Sequence, residues 1–582
     1  MVETEARPAE TPAIEDWTDA PWPKLERALD RLQKRIDTAQ DRGNVKVAHS
    51  VQRLLLKSRA ARMLAVRRVT QENQGKKTAG IDGVKAVGPL IRLLLVERLR
   101  HGEGIRAQPV RRVLIPKPGK PGEWRPLGIP VLLDRAHQTL VTFALEPQWE
   151  ARFEPNSYGF RPGRGCHDAI EALSLAIVQQ PTFVLDADIK GCFDGISHQA
   201  LLAKLEAIPH IHRAVKAWLR AGALWEGNLI PTTSGSPQGG CVSPLLANIA
   251  LHGLEQAAAS ALYPPRPGED PRRRPVLVRY ADDFVVLHHR RDAIEAAHAA
   301  VATFLAAMGL QLHPTKTSIT HTLHPDEGRV GFDFLGFTVR QYPCGQTHAS
   351  TTSHGGRRAW KTLITPSKEA IKRHDAALGA RIRQYRGAPQ AALIAALNPL
   401  IRGWATYYRT VVASKAFTRC DIHRHDHLWR WACWRHPSRG RRWIAARYWS
   451  ITPGQRWQFT VLHGDQRGLR LRNHTDTLVK RHVKVRGRAS PYDGNLPYWA
   501  QRLKDHPLTT STLGRLLAQQ HSKCAYCGLT FTAQSLIDID HRVPTSQGGS
   551  DLLSNKQALH RHCHDQKSAT DRRCGVSLPT TT

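Results

Sequence analysis

The sequence has no uninterrupted apolar run of about 18 residues, the length a membrane-spanning helix needs. No membrane partner is therefore expected. The N-terminus, MVETEARPAETPAIEDW, is acidic and proline-rich and lacks the basic and apolar regions of a secretory signal. Cysteine is sparse. The chain has 10 in 582 residues, mostly isolated among apolar neighbours, which excludes a disulfide scaffold and fits a reduced compartment. Acidic residues are also scarce, 49 Asp and Glu against 84 Lys and Arg, so the formal net charge is +35. A small-metabolite enzyme rarely needs that excess. A polyanion partner does, with nucleic acid ahead of an anionic membrane surface. No internal repeat is present. The apolar share of 41% can bury real cores. At about 150 residues per domain, the length allows roughly three to five domains.

The excess charge is uneven. Residues 351–500 hold 29 Lys and Arg against 7 Asp and Glu, an excess of 22, together with 9 of the 15 Trp. Each of these Trp, taken singly, reads as a helical core residue. As a region, arginine interleaved with aromatics suits unpaired or irregular RNA, because cations track phosphates and rings stack on splayed bases.

Residues 24–70 repeat apolar side chains at helical spacing (Leu25, Leu29, Leu32, Ile36) and read as helices. Residues 90–115 read as helix and then strand, leading into a turn-rich basic segment, Pro116 to Gly122. Residues 134–150 and 292–308 read as helices, and 367–450 as mainly helical. Phe183–Leu185 reads as a buried strand. Val276–Val278 and Phe284–Leu287 read as a hairpin with acids at its tip. A linker is expected near 485–500, and a small Cys/His-rich unit over 520–570.

Asp188 follows the first of these strands, and Asp282 and Asp283 sit at the hairpin tip. Carboxylates at the ends of strands from distant segments can converge on two divalent cations. Two metals about 4 Å apart activate a 3′-hydroxyl and stabilise the leaving pyrophosphate of an in-line displacement. Mg²⁺ suits such a site, because it takes few protein carboxylates plus substrate phosphates. Alone, Asp-Asp in a hairpin is an ordinary turn. Asp186 and Asp194 lie nearby, and Asp186 is expected to face away from Asp188.

The surrounding motifs change that balance. They are Ile115-Pro116-Lys117-Pro118, Arg125-Pro126-Leu127-Gly128-Ile129-Pro130, Tyr158-Gly159-Phe160-Arg161-Pro162, Ser236-Pro237-Gln238-Gly239 running into a helix through Asn248, and Phe332-Asp333-Phe334-Leu335-Gly336. In this order the chain resembles reverse transcriptases of the group II intron-encoded type. The resemblance implies a right-hand arrangement of fingers and palm. Asp188, Asp282 and Asp283 match the family's catalytic Mg²⁺-binding carboxylates. Phe193 matches the aromatic gate that selects dNTPs. Lys117 and Arg125 match cations on the triphosphate, Gln238 a residue beside the incoming nucleotide, and Lys316 a cation near the leaving pyrophosphate.

The segment Leu397-Asn398-Pro399-Leu400-Ile401-Arg402-Gly403-Trp404-Ala405-Thr406-Tyr407-Tyr408-Arg409 resembles the maturase (X) signature, which doubles as the polymerase thumb. Arg402 and Arg409 are its candidate RNA contacts, while Trp404, Tyr407 and Tyr408 read as core. His423, His425 and His427 read as a solvated or RNA-facing stretch, not a metal site.

Cys524-x-x-Cys527 and His560-x-x-Cys563 are two ligand pairs suited to a tetrahedral structural Zn²⁺. His562 competes with His560 for the fourth place. With Asp540-His541, Gly548-Gly549, Asn555 and His564 they resemble an HNH (ββα-metal) endonuclease. By that resemblance His541 is the general base, Asp540 and His564 hold a divalent ion, Mg²⁺, and Asn555 orients the site. The plainer reading is a zinc knuckle that only binds DNA.

The expected fold class is α+β and multidomain: right-hand fingers and palm, a helical thumb/maturase domain, and a small ββα-metal HNH domain. The expected divisions are 1–23 disordered, 24–88 a helical N-terminal extension, 89–345 fingers and palm, 346–455 thumb/maturase, 456–515 a DNA-binding region or linker, and 516–574 HNH. The expected partners are group II intron RNA, target DNA and dNTPs, with a homodimer left open. The expected place is the bacterial cytoplasm, in a nucleoid-associated ribonucleoprotein. The implied activities are RNA-directed DNA synthesis, DNA nicking, splicing assistance and retrohoming. The alternatives are a splicing-only maturase and a host-domesticated reverse transcriptase.

Overall fold

The computed structural model describes residues 17–574 apart from 86, 101–105, 118–121, 262–273, 327, 346–350, 352–354, 453–455 and 462–467. Most of the N-terminal stretch expected to be disordered therefore lies outside the described residues. So does part of the basic turn after Pro116.

Three helices, Trp22–Asp41, Val45–Lys57 and Arg59–Arg67, open the described chain. They pack on the long helix Leu132–Glu150. Buried glutamines fix the contact: Gln33 Nε2 donates to the Phe143 carbonyl at 3.0 Å and Gln52 Nε2 to the Ala144 carbonyl at 3.1 Å. Burying amides without partners is costly, so each pair selects one docking of helix on helix.

Two four-stranded sheets follow. The first joins the hairpin Val110–Pro116 and Trp124–Ile129 to the short strands Ala223–Trp225 and Asn228–Ile230. The second runs in the order Val276–Tyr280, Asp283–His288, Phe183–Asp188, Ser318–His321, all antiparallel. Its inner strands are rich in Val, Leu and Phe and bury both faces, with Phe284, Val285 and Val286 fully enclosed. Helices cover it, including Arg291–Ala307 and Ser243–Leu251.

A three-stranded sheet, Phe332–Phe334, Phe337–Pro343 and Trp360–Pro366, links this body to four helices: Lys368–Gln384, Gln390–Tyr408, Ser414–Arg435 and Arg441–Tyr448. Aromatics weld the two parts together. The Tyr407 hydroxyl donates to the Leu335 carbonyl at 3.3 Å and Tyr408 donates to the Gly336 carbonyl at 3.1 Å, while between two of the helices Trp404 stacks on His374 with ring centres 4.6 Å apart. These three rings therefore serve as core.

The segment near 485–500 is not a free linker. Asp168 holds it, accepting from the Val485 backbone at 2.8 Å, facing His482 Nε2 at 3.0 Å, and pairing with Arg502. Farther along, Ser490 donates to Asp37 at 2.6 Å and the Trp499 indole to the Ser490 carbonyl at 3.1 Å. Polar, glycine-containing composition suggested a loose tether. The buried Val485, Tyr492 and Trp499 explain why the segment lies down instead.

The C-terminal unit pairs the strands Ile537–His541 and Lys556–His560 and closes with the helix Arg561–Cys574. Among the described residues no helix is long and apolar enough to cross a membrane.

Candidate active site

The antiparallel register of Phe183–Asp188 with Asp283–His288 sets Asp188 directly opposite Asp283. Facing residues in such a pair have Cβ atoms about 4.5–5.5 Å apart. Asp282 precedes Asp283 in the two-residue turn after Tyr280. Three carboxylates from two distant segments thus meet at one sheet end. Lys316, reached through the turn that follows Leu312, places its ammonium on Asp188. The His313 amide donates to the Asp188 carbonyl at 2.8 Å and fixes that turn.

At this tip Asp188 and Asp282 are half-buried and Asp283 is open to solvent on one side. Desolvation raises the Asp282 carboxyl above its ordinary range. Desolvation, with the charges of Asp282 and Asp188, lifts Asp283 to about 6, although Lys316 opposes the rise. Such a cluster holds excess negative charge, which either protonation or a bound cation relieves. The oxygen-rich donor set therefore fits Mg²⁺.

Asp186 corrects the sequence reading. It lies two residues from Asp188, and strand residues two apart share a face, so it does not point away. Burial and the charges of Asp283, Asp333 and Asp188 raise it to about 7. It forms a fourth acid behind the tip.

The turn itself is strained. Ala281 has φ of 59°, unusual for a residue with a Cβ. What holds it is a buried network that sequence reasoning missed. Arg279, 1% exposed, donates from Nη1 to the Ala281 carbonyl at 3.1 Å and to Asn248 Oδ1 at 3.0 Å. Asn248 Nδ2 in turn donates to the Gly159 carbonyl at 2.9 Å. A Cβ on Gly159 would stand 2.3 Å from the Ala281 amide, so only glycine fits beneath the turn. The Tyr-Gly-Phe-Arg-Pro motif and the helix after Gln238 thus meet under the acids. Their signal in the sequence was the motif itself; their role emerges only from the contact.

Phe193 lies beside this site, its ring 5.9 Å from that of Phe160 at 77°. The Ser236 amide donates to the Phe193 carbonyl at 2.7 Å, seating the turn that carries Gln238. The Gln238 carbonyl accepts from the Gly128 amide at 2.6 Å and docks that turn on the neighbouring sheet. Arg125 lies on the strand Trp124–Ile129, and its charge opposes the rise of the Asp282 carboxyl. Lys117 is half-buried at the same hairpin and pairs with Glu123 at 3.0 Å.

In the helical region Arg402 is exposed. Arg409 is engaged internally, its Nε donating to the Leu478 carbonyl at 2.9 Å. His427 and His423 both face Asp375, at 3.1 and 3.6 Å.

In the C-terminal unit, Cys524, Cys527, His560 and Cys563 bring their ligand atoms within 4.8 Å of one another. Hydrogen bonds from Cys527 and Cys563 hold the Cys524 thiol far below its ordinary value. Three sulfurs and one imidazole at this spacing fit a closed tetrahedral Zn²⁺ site. His562 is turned elsewhere, with Nε2 at 3.3 Å from Glu26 of the first helix. Burial and the nearby Arg67 lower it to about 2, so it stays neutral.

Beside this cluster His541 Nε2 lies 3.0 Å from Asp551, and His564 Nε2 lies 3.6 Å from Asp540. Asn555 pins the intervening loop. Its Nδ2 donates to the Val543 and Ser550 carbonyls at 3.0 and 2.8 Å, and its Oδ1 accepts from the Val543 amide at 3.0 Å. Lys567 was missed. One turn past His564, it sets its ammonium at 3.1 Å from Asp540, 2.6 Å from Asp571 and 2.9 Å from the His541 carbonyl. Partial burial pushes the Asp540 carboxyl up, and hydrogen bonds from Lys567 and Gln557 outweigh this and hold it below its ordinary range. Its signal was the three-residue spacing from His564 on one helix face.

Comparison with known proteins matches this architecture part by part. A model of the N-terminal domain of reverse transcriptase matches residues 17–99, and the reverse transcriptase (RNA-dependent DNA polymerase) model matches residues 115–339. The group II intron, maturase-specific domain matches residues 371–449, and HNH endonuclease matches residues 524–570. The chain belongs to the group II intron-encoded reverse transcriptases with a C-terminal HNH endonuclease domain. Protein YkfC of Escherichia coli (strain K12) is 32% identical over 303 residues, covering 46% of this chain and 77% of that protein. Group II intron-encoded protein LtrA of Lactococcus lactis subsp. cremoris is 38% identical over 190 residues, 32% of this chain and 31% of LtrA. An uncharacterized 91 kDa protein in the cob intron of Schizosaccharomyces pombe is 26% identical over 445 residues, 66% of this chain and 53% of that protein. As a member of this reverse transcriptase family, the chain carries an RNA-directed DNA polymerase domain and a DNA nuclease domain, with nucleic acid as their substrate class.

Proposed function

We propose that this chain binds the group II intron RNA that encodes it, assists its splicing, and then moves that intron into DNA. The supporting observation is the meeting of Asp188, Asp282 and Asp283 at one strand end, on a chain that also carries maturase and HNH domains. In this reading Asp188, Asp282 and Asp283 would hold Mg²⁺, which would supply charge to activate a primer 3′-hydroxyl and to offset the leaving pyrophosphate. The chain's own side chains do the rest. Arg125, Lys117 and Lys316 carry positive charge to the dNTP triphosphate. Phe193 occupies the space a 2′-hydroxyl would need. Gln238 sits beside the incoming nucleotide. Arg279 and Asn248 hold the carboxylate turn in its strained form.

His541, oriented by Asp551, takes a proton from the attacking water at the HNH site. Asp540 and His564 would hold the divalent ion there, and Asn555 keeps the loop in place. The Cys524, Cys527, His560 and Cys563 set would hold a structural Zn²⁺. The nick exposes a 3′-hydroxyl, and the polymerase extends it on intron RNA. Arg402 and Arg409 belong to the RNA-binding side. The chain would act in the bacterial cytoplasm as a ribonucleoprotein on the nucleoid.

A splicing-only protein, or a host-domesticated reverse transcriptase, would have no need to keep both catalytic clusters intact. The test is a combined assay with the flanking intron RNA and its DNA target. Splicing, second-strand nicking and primer extension should all depend on the chain. Splicing without either DNA reaction would leave only the maturase role.

A further inference from the structure

The helices Lys368–Gln384 and Ser414–Arg435 leave between them a cleft of about 120 Å³, walled by Gly379, Arg383, Arg386, His427, Arg430 and Trp434. None of its lining residues is acidic. Among the described residues none of the three arginines forms an ion pair. Three uncompensated guanidiniums facing one small space repel each other, and an anionic ligand relieves that repulsion.

The cleft is also built. A Cβ on Gly379 would stand 3.0 Å from His427 Cε1 and 3.4 Å from Arg383 Nη1, so the glycine leaves room for both side chains to close in. Asp375 holds the His427 ring from behind at 3.1 Å. Arg435 Nη1 donates to the Arg386 and Ala388 carbonyls, each at 2.8 Å, and fixes the loop that carries Arg386. Trp434 is 55% exposed, and the Arg386 guanidinium lies over one face of its ring, 5.1 Å from the ring centre, which leaves the other face open. An exposed indole backed by a guanidinium on one face offers its other face as a stacking surface for a base.

We propose that this cleft takes one unpaired nucleotide of the bound RNA, its base against Trp434 and Arg386 and its phosphate among Arg383 and Arg430. This rests on the reading of the chain as an intron-RNA-binding protein. The cleft has the scale of one planar ring and not of a helix. In a paired A-form helix the bases are stacked inside and cannot enter it.

The test uses the full chain and fluorescence anisotropy with a labelled single-stranded RNA and the same RNA annealed to its complement. Trp434→Ala should weaken the single strand by roughly 5- to 150-fold and leave the duplex within about twofold. Trp434→Phe should recover most of the loss. Arg383→Ala with Arg430→Ala should lower the slope of log affinity against log salt by about 0.7 for the single strand, the share of one phosphate. Equal weakening of both RNAs by Trp434→Ala, or of neither, would overturn the nucleotide cleft. A wild-type chain that binds neither RNA would overturn the RNA-binding reading itself, a distinguishable failure.

Discussion

Arg279 and Asn248 meet through a 3.0 Å hydrogen bond in the interior, directly beneath the turn that presents Asp282 and Asp283. The guanidinium is fully enclosed, and burial pulls its pKa below the ordinary arginine value. A cation in that position must keep its acceptors. Asn248→Ala removes one and also frees the Gly159 carbonyl. It should cost about 1.5–3 kcal/mol, the range for hydrogen bonds to charged groups. Denaturant unfolding measures that cost. An undiminished midpoint would show that the network does not hold the turn.

The acids at the strand end make a pH-dependent prediction for the metal-free chain. Burial, Asp283, Asp333 and Asp188 raise Asp186 to about 7 from an ordinary 3.8. A raised carboxyl means that the folded state holds its proton more tightly than the unfolded chain. Its contribution is therefore fully present below pH 3.8 and is lost as pH rises through about 7. Asp186→Asn removes that loss. It should stabilise the chelated protein by roughly 1–3 kcal/mol above pH 7, and the gain should fade toward pH 4. Thermal melts across that range read it. A gain independent of pH would contradict the assignment.

Zinc content separates the two histidines of the C-terminal unit. His560 lies with the three cysteines, while His562 faces Glu26. His560→Ala should cut bound zinc from ~1 per chain to a small fraction, and His562→Ala should leave it unchanged. Mass spectrometry of the intact protein distinguishes them. The reverse result would move the fourth ligand to His562.

Lys567 bridges Asp540, Asp571 and the His541 carbonyl. Removing a group that orients a metal-site carboxylate typically costs about 10- to 100-fold. Lys567→Met should lower DNA nicking by that order and leave primer extension on RNA intact. Equal losses in both reactions would mean that the helix Arg561–Cys574 supports the whole chain and not the nuclease alone.

Much of this layout was legible from local pattern. Two apolar runs flanking Asp-Asp read as a hairpin because alternation and turn residues are nearest-neighbour signals. The paired Cys and His spacings read as a metal site for the same reason. The helix period of residues 24–70 placed the first three helices. What stayed hidden depends on contacts between distant segments. Arg279 looked like an ordinary strand residue until Asn248, 31 positions away, came to lie beside it. The 485–500 stretch looked like a tether because its anchors, Asp168 and Asp37, lie more than 300 residues earlier. Asp186 was misread on geometry available in the sequence, since a period of two puts it on the face of Asp188. Lys567 was passed over although its spacing from His564 was legible, because only the fold shows which side of that charged helix faces inward.

The central claim is that Asp188, Asp282 and Asp283 form one polymerase site. Primer extension on an RNA template by the Asp282→Ala, Asp283→Ala double variant tests it most directly, with RNA binding measured on the same protein. DNA synthesis should vanish while RNA affinity stays within about twofold of wild type, because the basic helical surface is untouched. Synthesis that survives the double substitution, with the protein folded and bound to RNA, would contradict the account.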